Sequence, residues 1–139
     1  MDDKKILWEK IILRRVEFLL NEAKAENPIR DQTITTAMRV ISNWVTVGKD
    51  ATSEYIKWNN PILSEEAWKL YEMSDDDYWQ KNTINEHPEP LDQLWEYILE
   101  EKDQLTIDNI LDRFKQSPMV TITKDEDNSI NKRGVSTIF

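Results

Sequence analysis

The chain has 139 residues, a formal net charge of −9 and no cysteine. This length suits one domain with a single core and is too short to demand a second domain. The absence of cysteine excludes disulfide scaffolds, thiol nucleophiles and Cys-ligated zinc, and it fits a reducing cytosol. Two glycines, Gly48 and Gly134, are too few for a glycine-rich phosphate loop, and no apolar run approaches the roughly 18 residues of a membrane span.

The first predicted element is a long helix over residues 4–25, because this stretch lacks Gly and Pro and repeats apolar residues at helical spacing. One apolar stripe consists of Trp8, Ile12, Val16, Leu19 and Ala23, and a second ridge of Leu7, Ile11 and Phe18. A helix that is apolar on two sides needs cover on both, so monomer and homodimer both stay open. Residues 1–10 carry charges of both signs and no cleavage site, so we expect no signal peptide and a cytoplasmic protein.

A second helix is predicted over residues 32–47, between Asp31 as its N-cap and Gly48 as the residue that ends it. Its apolar stripe consists of Ile34, Met38, Ile41 and Val45. Pro28 stops the first helix, and the short connection that follows predicts that the two helices pack antiparallel. The segment 49–60 is ambiguous between a loop and one or two helical turns.

The middle of the chain alternates short helices with turn residues. Ser64 is expected to cap one helix and Ser74 to open another, the second with an acidic variant of the capping box. Residues 82–90 contain two prolines and are interpreted as a loop. Two clearer helices are predicted over residues 91–102 and 107–116, from their apolar spacing.

The last segment, residues 118–139, changes character. Residues 119–123 are β-branched and alternating, which predicts a short strand. Thr123 and Glu126 form a capping box that predicts a helix over residues 124–132, and the β-prone end with Phe139 completes a strand-helix-strand appendage. The expected fold is therefore mainly α: five or six helices around one core in a single domain, 1–139, with one or two short β-strands near the C-terminus.

The negative charge is concentrated in the middle of the chain. Residues 49–117 carry 17 acidic and 7 basic side chains, whereas residues 1–48 have a net charge of +1 and residues 118–139 of zero. Such an acidic field repels nucleic-acid phosphates and attracts basic proteins. A solubilising surface is the plainer interpretation of the same pattern.

An acidic partner-binding face is the sharper hypothesis. Tyr78 and Trp79 follow three aspartates and are the aromatic pair expected to be exposed, as interface anchors often are. The other tryptophans are expected in the core. The predicted contact residues are Glu72, Asp75, Asp76, Asp77, Tyr78, Trp79, Glu96 and Glu100. The aspartate run could also start a helix or bind a divalent cation, but we expect no metal or other cofactor.

His87 is the single histidine, and Glu86 and Glu89 flank it. This group could act as a general base with carboxylates or hold a catalytic metal. The spacing is not that of a metal-binding helix, and the adjacent prolines preclude such a helix. A hydrogen-bonded loop histidine is the plainer interpretation.

These observations lead to three functional hypotheses. The leading one is a small acidic cytosolic interaction protein that inhibits a basic nucleic-acid-handling protein, in the manner of an immunity protein, antitoxin or phage anti-defence protein. Such a protein is expected to bind neither a membrane nor nucleic acid directly. The alternative is an enzyme or enzyme fragment that uses His87 with Glu86 and Glu89 and that could act on nucleic acid with the help of a metal. The third is a nucleic-acid-binding domain with its basic residues at Arg14, Arg15, Lys132 and Arg133.

Overall fold

The computed structural model describes residues 3–132 of the chain, with side chains to residue 128. The expected mainly α fold with a small β component is confirmed. The helices are α1 (Asp3–Lys24), α2 (Gln32–Val47), α3 (Ser53–Asn59), α4 (Glu65–Met73), α5 (Asp76–Asn82), α6 (Leu91–Glu101), α7 (Ile107–Lys115) and α8 (Lys124–Lys132). The strands are β1 (Thr83–Glu86), between α5 and α6, and β2 (Val120–Thr123), between α7 and α8. Within this part of the chain, no helix has both the length and the apolarity that crossing a bilayer requires.

The main core lies between α1, α2, α6 and α7. Its buried side chains include Ile12, Val16, Leu19, Ile34, Met38, Ile41, Leu94, Trp95, Ile98, Ile110, Leu111 and Phe114. Trp8 near the start of α1 lies beside Trp44 near the end of α2, and Phe18 lies beside Thr36 at the other end. The antiparallel packing of the first two helices is therefore confirmed. The second ridge of α1 is only partly covered, since Phe18 packs against the core whereas Leu7 is exposed.

Local capping signals set most of the helix boundaries. Asp31 accepts the amide of Ile34 at 3.0 Å, and Gly48 ends α2 at a φ of 85°. The predicted box between Thr123 and Glu126 is present, with the Thr123 amide donating to the Glu126 carboxylate at 3.0 Å. The N-cap of α5 is Asp75 and not Ser74, because the Asp75 carboxylate accepts the Tyr78 amide at 2.8 Å. The ambiguous segment 49–60 contains α3.

The two strands form an antiparallel pair, with a register that runs from Thr83 opposite Thr123 to Glu86 opposite Val120. The strand predicted within residues 119–123 is confirmed as β2. The loop predicted over residues 82–90 is wrong at β1, because that segment gains its strand geometry from a partner distant in sequence. The further strand expected near Phe139 lies outside the described residues.

Buried polar contacts join the β pair to the helical core. The Met119 backbone amide donates to the Thr46 hydroxyl on α2 at 3.0 Å, and the Asn60 side-chain amide donates to the Met119 backbone carbonyl at 2.9 Å. Thr121 is fully buried, and its hydroxyl donates to Asn85 on β1 at 2.8 Å. These contacts join β2 and the segment before it to α2, to the end of α3 and to β1.

Candidate functional site

A cluster of four aromatic rings joins α3, α4 and α5. Tyr71 lies at its centre, with ring centroids 6.0 Å from Trp58, 5.8 Å from Trp68 and 5.3 Å from Trp79. Trp68 stacks on Tyr71 at an interplanar angle of 17°, whereas Trp79 meets Tyr71 edge-on at 79°. Contacts of both kinds are favourable for aromatic rings, so the cluster stabilises three short helices against one another.

Much of this cluster faces solvent. The exposed fractions are 36% for Trp58, 50% for Trp68 and 43% for Tyr71, and on the same helices 86% for Met73 and 52% for Tyr78. We call these five residues the aromatic surface. The prediction that Trp58 and Trp68 belong to the core is wrong, because α3 buries only Ile56 and α4 only Ala67, and both helices leave their tryptophan partly in solvent. Apolar residues gathered in this way are typical of binding sites.

Trp79 is not part of the exposed surface. Only 1% of it is accessible, so the prediction that Trp79 is an exposed interface anchor is wrong. It lies beneath Trp58 and Tyr71, and its backbone carbonyl accepts the Thr83 hydroxyl at 2.7 Å. Among the described residues, its indole nitrogen has no hydrogen-bond partner. Trp79 therefore supports the aromatic surface from below.

Exposed carboxylates lie beside the aromatic surface. Glu72 follows Tyr71 on α4, and Asp75, Asp76 and Asp77 begin α5, all exposed as predicted. Asp76 and Asp77 line a shallow depression with Glu54, Trp58 and Gln80. Asp77 also pairs with Lys81 at 3.1 Å, and Lys69 lies 3.5 Å from Glu66. The surface stays acidic because residues 65–82 contain six carboxylates and only these two lysines.

Glu96 and Glu100 are exposed, as predicted, but they lie on α6. That helix packs against α1 and α7, whereas α4 packs against β2. The predicted acidic face is therefore divided between two layers of the fold. The part beside the aromatic surface contains Glu72 and the three aspartates.

The residues of the possible catalytic group, His87, Glu86 and Glu89, each have a different neighbour. His87 Nδ1 lies 3.2 Å from the Ser42 hydroxyl, and both oxygens of Glu89 accept from Arg113 Nε, at 3.0 and 3.1 Å. Burial raises the pKa of Glu86, and the nearby Asp127 adds to that effect. Within residues 3–132, no three His, Asp or Glu side chains are placed to share a metal ion.

The environment of His87 favours its neutral form. Burial lowers the pKa of His87 below its ordinary value of 6.5, and the positive charge of Arg39 lowers it further. A neutral imidazole next to a hydroxyl can accept or donate a hydrogen bond, which agrees with a structural role between α2 and the loop after β1. Arg14 and Arg15 of the nucleic-acid hypothesis are exposed on α1, whereas the side chains of Lys132 and Arg133 lie outside the described residues.

No protein-family model matches the chain, and no curated protein and no solved structure is significantly similar to it. The chain is acidic and mainly helical, and its described residues form an exposed aromatic surface on α3, α4 and α5.

Proposed function

We propose that this chain is a non-enzymatic interaction protein that binds and inhibits a basic, nucleic-acid-handling protein. The observation that carries the proposal is the aromatic surface, with Trp58, Trp68 and Tyr71 in mutual ring contact and exposed beside a group of carboxylates. Tryptophan and tyrosine are enriched among the few interface residues that supply most of the binding energy.

The charge of the same surface indicates the chemistry of the partner. Glu72, Asp76 and Asp77 are exposed on α4 and α5 and have free carboxylate oxygens for additional cations. Negative charge around an apolar centre speeds the encounter with a positively charged protein and disfavours nucleic acid itself. A protein that handles nucleic acid has a basic surface of the required sign.

The rigid support of the surface favours binding without a large ordering cost. Trp79 is buried beneath Trp58 and Tyr71, and Lys57 on α3 donates to the Gln80 carbonyl on α5 at 2.8 Å. Side chains that are already held in place lose less conformational freedom when a partner docks. The surface is therefore suited to an inhibitor that acts by occupying a partner's basic site.

The test captures proteins from an extract of the native host on the immobilised chain and on two immobilised variants. Each variant replaces two carboxylates by amides, so both differ from the unmodified chain by the same charge. Asp76→Asn with Asp77→Asn alters the acidic rim of the aromatic surface, and Glu96→Gln with Glu100→Gln alters α6. A basic protein retained by the chain and the α6 variant, and lost from the rim variant, is expected. After purification, the captured basic protein should lose its binding or cleavage of nucleic acid when the chain is added.

Two results would contradict the proposal. One is a captured protein that both variants retain equally, since that places the interface elsewhere. The other is a captured protein whose activity on nucleic acid is unchanged at saturating chain, since that leaves binding without inhibition.

A further inference from the structure

A second surface of opposite charge lies on another part of the molecule. It is a groove between the start of α1 and the end of α2, lined by Lys5, Trp8, Trp44, Val45, Val47, Gly48, Lys49 and Lys115. Its volume is about 600 Å³. Sites for small ligands have volumes of roughly 300 to 1,000 Å³, so one nucleotide-sized molecule would fit.

The groove is positively charged, whereas the chain as a whole is negatively charged. Lys5, Lys49 and Lys115 come from three different elements and meet at its edge, and none of the described residues that line it is acidic. In residues 3–132, no carboxylate lies within ion-pair distance of these three lysines. Three ammonium groups without a counter-charge provide complementary charge for an anion.

The apolar part of the groove consists of partly exposed indole rings. Trp8 and Trp44 are both half-buried, and the Lys115 ammonium lies 5.8 Å from the centre of the Trp44 ring. Lys49 at the same end lies 4.2 Å from the ring centre of Tyr55. Indole faces next to lysines are the pairing that stacks a nucleobase and neutralises its phosphate.

We infer that this groove binds a nucleoside phosphate, with the base against an indole of Trp8 or Trp44 and the phosphate at the lysines. A free nucleotide is favoured over a strand of nucleic acid, because the net charge of −9 opposes the approach of a long polyanion. This inference is independent of the proposed function, since the groove is lined by α1, the end of α2 and α7, whereas the aromatic surface lies on α3, α4 and α5.

Calorimetric titration of the full chain tests the inference with four probes: adenosine triphosphate, adenosine, inorganic tripolyphosphate and a hexamer of deoxyadenylate. We expect saturable binding of the triphosphate, about tenfold or more tighter than adenosine or tripolyphosphate, because only the nucleotide uses both parts of the groove. Replacing the lysines, as Lys5→Gln with Lys49→Gln and Lys115→Gln, should weaken it about tenfold or more.

The matched control replaces three exposed lysines outside the groove, as Lys24→Gln with Lys69→Gln and Lys81→Gln, and should bind the triphosphate as the unmodified chain does. Equal loss in both triple variants would overturn the inference, because it would show a response to total charge alone. Tripolyphosphate binding as tightly as the nucleotide would also overturn it, as would no binding at millimolar concentration. A hexamer that binds more tightly than the triphosphate would overturn the assignment to a free nucleotide.

Discussion

The ring of Tyr71 meets the buried indole of Trp79 edge-on, with centroids 5.3 Å apart and an interplanar angle of 79°. One ring is nearly half exposed and the other is inaccessible, so this contact links the surface of the molecule to its interior. It also joins α4 to α5 where each helix is too short to be stable alone. Trp79 therefore contributes to the fold, whereas Trp58, Trp68 and Tyr71 remain accessible to solvent.

The first prediction concerns Trp79. Trp79→Ala should lower the free energy of unfolding by roughly 3 to 5 kcal/mol, because it removes a fully buried indole and leaves a cavity. Urea denaturation followed by circular dichroism measures the change. Trp68→Ala is the control and should cost about 1 kcal/mol or less, since that ring is half exposed. Equal losses in the two variants would contradict the assignment of Trp79 to the core.

Trp68 should matter for the partner rather than for the fold. Trp68→Ala should speed dissociation of the basic protein captured from the host, at a cost on the order of 2 kcal/mol in binding if the ring is an interface centre. Surface plasmon resonance gives the two rate constants separately. Leu7→Ala, which alters an exposed apolar side chain on α1, is the comparison and should leave dissociation unchanged. An unchanged dissociation rate for Trp68→Ala would remove the aromatic surface from the interface.

The acidic rim should control association. Asp76→Asn with Asp77→Asn should slow the association rate of the same partner and reduce its dependence on salt, because the steering charge is lost. Asp75 is kept, since its carboxylate caps α5 through the Tyr78 amide. Glu96→Gln with Glu100→Gln carries the same change in charge on α6, and its association rate should remain closer to that of the unmodified chain.

Glu126 links the last described helix to α4. One carboxylate oxygen accepts from the Ser64 hydroxyl at 2.5 Å and from the Thr123 amide at 3.0 Å, so a local cap is also a tertiary contact. Glu126→Ala should lower the free energy of unfolding by on the order of 2 kcal/mol. Asp125→Ala removes a carboxylate from the same first turn and should cost less than half as much. Thermal unfolding of both variants measures the difference.

The pH dependence of stability should contain a contribution from His87. Its pKa is lowered in the folded protein by burial and then by Arg39, so the unfolded chain binds the proton more readily. The stability present above pH 6.5 should therefore decrease as the pH falls through that value toward the lower pKa of the folded state. Urea denaturation from pH 8 to pH 5 should show a flatter profile for His87→Gln.

Helix positions and caps were predictable because their causes are local. Asp31, Gly48 and the pair Thr123 and Glu126 act within one turn, and the periodic stripe of α1 extends over many turns. The antiparallel packing of α1 and α2 followed from a short connection between two long amphipathic helices. Interactions that close over three or four residues can be recognised without knowledge of the remaining chain.

The tertiary structure decided which aromatic rings are buried and where the sheet forms. The helices α4 and α5 have about two turns each, which are too few to distinguish a buried apolar stripe from an exposed one. For this reason the sequence predicts an exposed Trp79 and a buried Trp68, the reverse of what the structure shows. The strand β1 pairs with β2, which follows it in the chain only after α6 and α7, and two of its four residues, Asn85 and Glu86, are of types uncommon in strands. Burial and pairing of this kind depend on neighbours that are distant in sequence, so only the folded chain brings their determinants together.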